Sequence, residues 1–459
     1  MGFAGNESNT RQGLHGFFVC VLLVICASHC LAQQPNRKKL AAEVKAEFLH
    51  AWNGYKKHAW GHDDLKPLSK THHDWYAQPL LMTPVDSLDT MIIMGLKNEA
   101  DATKQYILDN LSFDKDVEVQ NFEITIRILG GLLTSYQLTG DKRFLNLAED
   151  LGNRLLPVFN SPTGMPYRYV NLKTGKIRNP VSNPAETGTL LIEFGTLSKF
   201  TGKPVFYDKA KRALVETYNR RSKIGLVGEW INVETGQWTN TDSHISGAID
   251  SYYEYLLKCW LLFRDEDCKR MWEESIVAIN KYLQDEREGE LWYGHADMNT
   301  GGRRATTYGA LDAFFPAVLV LSGDLPRAKR LQESSYLMWN HAGIEPEEFD
   351  YRAQKITSPR YPLRPEIVES TYYLYQRTRD PHYLRMGEKL WRDFVQHCRT
   401  EAGYAALKNV VTKEKADAMQ SFVLAETFKY FYLLFSPDET LDFRNVIFNT
   451  EAHPIKKFK

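Results

Sequence analysis

The sequence predicts an all-α fold made of seven helical hairpins, and three observations carry that prediction. Seven carboxylates recur roughly sixty residues apart: Asp86 (with Asp89 one turn on), Glu123, Glu186, Asp250, Asp312, Glu366 and Glu426. Each heads an apolar, aromatic-rich stretch of helical character, as in Asp250-Ser251-Tyr252-Tyr253-Glu254-Tyr255-Leu256-Leu257. Turn signals then follow at Gly140-Asp141, Thr201-Gly202, Arg264-Asp265, Gly323-Asp324, Arg379-Asp380 and Ser436-Pro437-Asp438. The first five of these turns open a second, more polar helix, as in Phe144-Leu145-Asn146-Leu147-Ala148-Glu149.

The two helix types sort themselves by polarity. Mostly apolar helices belong inside and amphipathic ones outside. If the hairpins close into a ring, every inner helix starts at the same end. The carboxylates then converge on one mouth, where helix N-termini favour negative charge. A single such acid is an ordinary helix cap. An open solenoid is the other architecture a helical repeat allows, but it needs no acid in every unit. A ring of acids in a barrel mouth suits glycoside hydrolysis, a metal, or both.

The elements follow in order. Arg11 precedes an apolar stretch from Phe17 to Ala27, and Cys30-Leu31-Ala32 offers a small residue for cleavage before Gln33. That stretch is short for a membrane span and reads as an export signal over 1–32. Residues 33–459 then read as one domain, since no Pro/Gly/Ser-rich linker or charge block divides them. Export places the mature chain in the periplasm or medium of a bacterium, or in the secretory-pathway lumen of a eukaryote. Three cysteines remain in the mature chain, Cys259, Cys268 and Cys398, so at most one disulfide forms. Cys259 lies on an inner helix and reads as a small buried hydrophobe. No CxxC pair or HExxH motif suggests zinc. Asn110-Leu111-Ser112 is a glycosylation sequon, and Val446 to Glu451 alternates like a short strand after the last inner helix.

Composition excludes some partners. Lys plus Arg equals Asp plus Glu at 57 each, so no basic surface invites nucleic acid. A stable membrane partner is not expected, and a monomer is.

Several motifs stand out in order: His50-Ala51-Trp52-Asn53-Gly54-Tyr55, Ala59 to Pro67, Asp86-Ser87-Leu88-Asp89-Thr90, Phe122-Glu123-Ile124-Thr125-Ile126-Arg127 and Asp250 to Tyr255. Leu363-Arg364-Pro365-Glu366, Ala425-Glu426-Thr427 and Phe448-Asn449-Thr450-Glu451-Ala452-His453-Pro454 complete the set. At these motifs the chain resembles glycoside hydrolase family 47, the class I α-1,2-mannosidases that trim high-mannose N-glycans. The resemblance runs from Phe48 to Pro454. It implies an (α/α)7 barrel with a C-terminal β-hairpin plug, matching the seven hairpins counted above.

The resemblance also implies a chemistry. Glu123 matches the acid that protonates the leaving oxygen, Glu366 the base that activates water, and Asp250 the third catalytic carboxylate. The choice of base between Glu366 and Asp250 stays open. Reaction inverts the anomeric carbon, and inverting sites hold their carboxylates roughly 6.5–9.5 Å apart. The acid's pKa is expected to be raised by like charges around it. Thr450 matches the threonine that binds Ca2+, with Glu186, Glu369, Glu426 and Glu451 as candidates for the shell around it. Substrate contacts are implied for Glu186, Arg127, Arg364, Glu369, Glu426, Glu451 and, at the pocket floor, Ala248. The partner so implied is a mannose-containing glycan.

Two departures bear on specificity. Ala248 stands where the family's endoplasmic-reticulum processing enzymes carry a branch-selecting Arg. The Leu311-to-Pro316 segment lacks the Cys those enzymes use in a disulfide. Both features lean toward the degradation-enhancing branch, whereas Ala59 to Asp64 resembles the processing enzymes. The mixture leaves branch specificity open and suggests a compact bacterial relative, while the small Ala248, by leaving the pocket floor roomier and uncharged, predicts a less branch-selective enzyme. Three rivals stand beside this reading: a catalytically weak, lectin-like relative that binds mannose glycans, another α/α-barrel enzyme such as a sugar epimerase, and a helical scaffold for protein partners.

Overall fold

The computed structural model describes residues 35–458, so the proposed signal at 1–32 lies outside the described residues. Fourteen helices alternate between two concentric rings. In chain order they are α1 (Arg37–His58), α2 (Met82–Ile93), α3 (Lys97–Asn110), α4 (121–139), α5 (Lys142–Leu155), α6 (184–201) and α7 (Pro204–Asn219). The second half holds α8 (Asp250–Phe263), α9 (Glu266–Tyr282), α10 (311–322), α11 (Leu325–Ala342), α12 (Glu366–Thr378), α13 (Pro381–Cys398) and α14 (423–435). Even-numbered helices form the inner ring, each packing on the next, with α14 returning to α2. The result is the (α/α)7 barrel. Its apolar core lies between the rings, where the buried stripes of the outer helices meet the inner ones.

Closure comes from a pairing that the hairpin repeat does not display. The seventh outer helix is α1, the first in sequence, which packs on α14, the last. Its Trp52 and Phe48 are fully buried, and Phe48 meets Phe428 edge-on at 6.0 Å.

The turn residues act as predicted, for one repeated reason. Gly140, Gly202, Arg264, Gly323 and Arg379 all adopt the left-handed conformation that ends a helix. Asp141, Asp265, Asp324 and Asp380 then cap the following helices, each carboxylate accepting a backbone N–H from the first turn. The Arg264 turn is also bridged covalently, because Cys259 and Cys268 form a disulfide with Cα atoms 5.9 Å apart. Cys259 is therefore not a free buried hydrophobe as expected; the hairpin turn brings α8 and α9 close enough to pair the two sulfurs. Cys398 is the free, buried thiol.

After α14 the chain forms a hairpin of β1 (Val446–Phe448) and β2 (Pro454–Lys456), with Ile447 opposite Ile455. Gly130 and Gly131 let it approach α4: a Cβ on Gly130 would stand 2.7 Å from Asn449 Nδ2. The hairpin's tip is tied down by buried charge. His453 Nδ1 lies 2.7 Å from Asp89 Oδ2, and Nε2 lies 3.1 Å from Asp86 Oδ1. Lys429 Nζ completes the group at 2.8 Å from Asp89 Oδ1 and donates to the Ala452 carbonyl at 2.6 Å. Burial opposes charge on His453, yet Asp89 and Asp86 hold its imidazole above the ordinary value.

Two predictions follow from these contacts. Asp380→Ala removes one helix cap and should lower unfolding free energy by about 1 kcal/mol in urea denaturation. His453→Ala removes the imidazole between Asp86 and Asp89, leaving Asp89 to Lys429 and Asp86 to Ser421 and a more distant Arg127, and should cost about 3–5 kcal/mol. A loss below 1 kcal/mol would show that the hairpin tip is not held by these charges.

Candidate active site

The N-terminal ends of the inner helices surround a cavity of about 460 Å³, closed below by the hairpin tip. Five of the seven repeated carboxylates line it: Glu123, Glu186, Asp250, Glu366 and Glu426. Two do not, contrary to the expected convergence. Asp86 is spent on His453 beneath the floor, and Asp312 turns to accept the Gly309 N–H at 2.8 Å. Glu254, Glu369 and Glu451 add three further carboxylates to the lining, and Thr450 lines it too.

Helix geometry positions these groups in three ways. Asp250 and Glu366 are the first residues of α8 and α12, so both sit at positive helix ends. Each follows a residue in the left-handed conformation that is not glycine, Ala248 at φ 74° and Leu363 at φ 71°. Such backbone costs on the order of 1–3 kcal/mol and needs outside support. That support is on hand: the Ala248 carbonyl accepts the Ala185 N–H at 2.9 Å, and the Leu363 carbonyl accepts the Thr427 hydroxyl at 2.9 Å. Thirdly, single π-turns interrupt α4 at Thr125–Leu129 and α14 at Val423–Thr427. They carry Arg127 and Glu426, which both line the cavity.

Cations are placed beside particular acids. Arg127 Nε donates to Glu123 Oε2 at 2.9 Å, Nη1 pairs with Glu451, and the guanidinium lies over Trp75 with 4.9 Å to its centroid. Arg364 Nη2 pairs with Glu347 at 2.6 Å and keeps Nη1 4.0 Å from Glu366. Glu186 accepts from Gln120 at 2.7 Å, Arg168 at 2.9 Å and Ser182 at 3.1 Å. Glu369 accepts the Tyr430 hydroxyl at 3.1 Å, and Glu254 pairs with Lys258. Asp250 Oδ1 accepts from Ser251 N at 2.7 Å, whereas Glu366 Oε2 is buried with no protein partner.

Burial, more than like charge, governs the electrostatics. It pushes both Asp250 and Glu366 up to about 7, with neighbouring carboxylates adding to the effect. Glu369 is pushed up to about 8, again first by burial and then by Glu254. Glu426 and Glu451 are likewise raised by burial, with acidic neighbours adding and Arg127 opposing. Each of these five acids loses water first, and its acidic neighbours add to that effect.

The hairpin presents Thr450 into this set. Asn449 fixes it from both sides, donating to the Ile126 carbonyl at 2.9 Å and to Glu193 at 2.8 Å while accepting from Glu451 N and His453 N. The Thr450 N–H itself donates to Tyr255 at 3.2 Å. Thr450 lines the same cavity as Glu369, Glu426 and Glu451, all oxygen donors of the kind a hard cation takes. Glu186 lines the same cavity but is engaged with Arg168.

Some lining residues were not singled out from the sequence. Trp230 and Arg168, stacked with 5.4 Å between guanidinium and centroid, form part of the cavity wall. Both come from strand-bearing loops outside the repeat, and only the fold brings them there.

Comparison with known proteins agrees with this architecture. The family description "Glycosyl hydrolase family 47" matches residues 47–457. Alpha-mannosidase I MNS5 of Arabidopsis thaliana is 38% identical over 450 residues, covering 92% of this chain and 78% of its own. ER degradation-enhancing alpha-mannosidase-like protein 2 of Homo sapiens is 36% identical over 456 residues, covering 92% and 78%. Among solved structures, the alpha-1,2-mannosidase from Trichoderma reesei superposes with a TM-score of 0.85 at 26% identity, covering 93% of this chain and 100% of its own. These relatives are eukaryotic, and they give the bacterial origin expected above no support. The chain belongs to glycosyl hydrolase family 47 and is a glycoside hydrolase of the α-mannosidase class.

Proposed function

We propose that the chain is a calcium-dependent, inverting exo-α-1,2-mannosidase that removes terminal mannose from high-mannose N-glycans or manno-oligosaccharides. One observation carries the reading: Glu123, Asp250 and Glu366 line a single cavity whose floor presents Thr450 among buried carboxylates. Arg127 Nε donates to Glu123 Oε2, which leaves Oε1 as the oxygen that would serve the leaving group. Glu366 keeps an oxygen free of protein partners, which supports it as the base that takes a proton from the attacking water. Asp250 would orient that water from the facing helix. Arg364 holds charge near Glu366 without bonding it, and so favours the ionised base.

The donor set fits calcium. Thr450 would hold the ion, with Glu369, Glu426 and Glu451 holding its waters. Bound there, a divalent cation would offset the mutual repulsion of these acids and supply an anchor for sugar hydroxyls. Ala248 leaves that part of the wall small and uncharged, which supports broad branch selectivity. The expected partner is the mannose glycan, with no nucleic acid and no stable membrane partner, and the chain is expected to act as a monomer. Among the described residues no helix is long and apolar enough to cross a membrane. Relatives named for the endoplasmic reticulum support a secretory-pathway lumen as its compartment.

The test is hydrolysis of a high-mannose N-glycan with calcium or chelator, followed by proton NMR. β-Mannose should appear first, release should stop on chelation, and Glu123→Gln or Glu366→Gln should each slow it about 10²–10⁴-fold. α-Mannose appearing first would rule out inversion. Binding without release in calcium would favour the lectin-like alternative.

A pH profile gives a second check. The base works only when ionised, and Glu366 and Asp250 are both pushed up to about 7. Activity should therefore be present above that value and kcat/KM should fall as pH drops through it, with bound calcium moving the midpoint lower. A rate that rises steadily on acidification would contradict the assignment of either group as base.

A further inference from the structure

We propose that Asp242, His244 and His295 form a second metal site, outside the carboxylate cavity, for a zinc-class divalent ion. Strands Asp242–Ser243 and His295–Asp297 pair antiparallel, with Ser243 opposite Ala296 and Asp242 opposite Asp297. Side chains alternate along a strand. Asp242 and His244 therefore share one face with His295 and Asp297, while Ser243 and Ala296 are fully buried on the other. A D-x-H segment thus lies against an H-x-D segment in register.

The side chains converge as that register requires. The His244 and His295 rings have centroids 4.4 Å apart, and His295 Nδ1 lies 2.7 Å from Asp242 Oδ2. One ring nitrogen from each histidine and one Asp242 oxygen all lie within 4.8 Å of one another. Asp297, the fourth residue of the face, is committed to the turn at Asn299 and Thr300 and to Arg304. Asp242 is not: its Oδ1 is buried and has no protein partner. His244 accepts one long bond, 3.2 Å from Ser246 N.

Donor chemistry separates this tripod from the cavity floor. Two imidazoles and one carboxylate match zinc, with bonds of about 2.0–2.2 Å, whereas the all-oxygen floor suits calcium. Tetrahedral bonds of that length set donors roughly 3.3–3.5 Å apart, so the Asp242–His295 pair opens by under about 1 Å and the rest draw in. Partial exposure of Asp242 and His295 provides an entry path. The segment after the tripod is Ser246-Gly247-Ala248-Ile249-Asp250, so an ion here would brace the strand that delivers Ala248 and Asp250 to the cavity.

The rival use of the same residues is an Asp–His ion pair with a second imidazole stacked on it. Equilibrium dialysis of the full chain against Zn2+, with calcium in saturating excess, distinguishes the two. The expected result is one zinc per chain, with affinity lowered about tenfold or more in His295→Ala and in His244→Gln. Should the buried His244 variant misfold, His295→Ala and the wild-type Co2+ spectrum still decide. Co2+ should give intense tetrahedral visible bands that zinc abolishes. No retained zinc, retention unchanged in His295→Ala, or a weak octahedral cobalt spectrum would each overturn the proposal.

Discussion

The concentration of buried acid at the barrel axis is the constraint around which the rest of the molecule is arranged. Eight carboxylates line a cavity of about 460 Å³, where burial weakens the screening between like charges. The protein keeps them together by three means. Cations reach in from other elements, as Arg127 does toward Glu123 and Glu451 and Arg168 toward Glu186. Helix N-termini at Asp250 and Glu366 add partial positive charge. Thirdly, burial, with neighbouring acids adding to it, raises Asp250, Glu366 and Glu369, so that protons are held where a water-exposed carboxylate would release them.

The hairpin plug belongs to the same electrostatic scheme one layer down. Asp86 and Asp89 come from the repeat that supplies the cavity's acids, yet they meet His453 and Lys429. That buried group fixes the tip, and the tip sets where Thr450 and Glu451 stand. A buried ion network is a weak source of stability but a strong source of register, because no shifted hairpin satisfies it. Gly130 and Gly131 supply the space on α4 that the arrangement needs.

Precision at the rim comes from backbone that departs from the helical norm. Ala248 and Leu363 carry strained left-handed conformations just ahead of the two helices that begin with Asp250 and Glu366. The π-turns in α4 and α14 rotate Arg127 and Glu426 relative to a regular helix. At the two strained residues a neighbouring inner helix supplies the support: Ala185 bonds to Ala248, and Thr427 bonds to Leu363. The ring is therefore more than a scaffold. Contacts between repeats hold the strained backbone ahead of Asp250 and Glu366.

Much of this was legible in the chain. The repeat of acid, apolar helix, left-handed turn and capping Asp is local chemistry, which is why the hairpins and their turns follow from sequence. The motifs at Glu123, Asp250, Glu366 and Asn449-Thr450-Glu451 likewise pointed to one site. Tertiary structure decided which acids face the cavity, since Asp86 and Asp312 carry the same local pattern but find partners elsewhere. It also decided that α1 closes the ring on α14, that Cys259 pairs with Cys268, and that Trp230 and Arg168 form a wall. These outcomes depend on contacts between residues far apart in the chain or across a turn. Periodicity fixes which way a side chain faces on its own helix; what it then meets is set only when the ring closes.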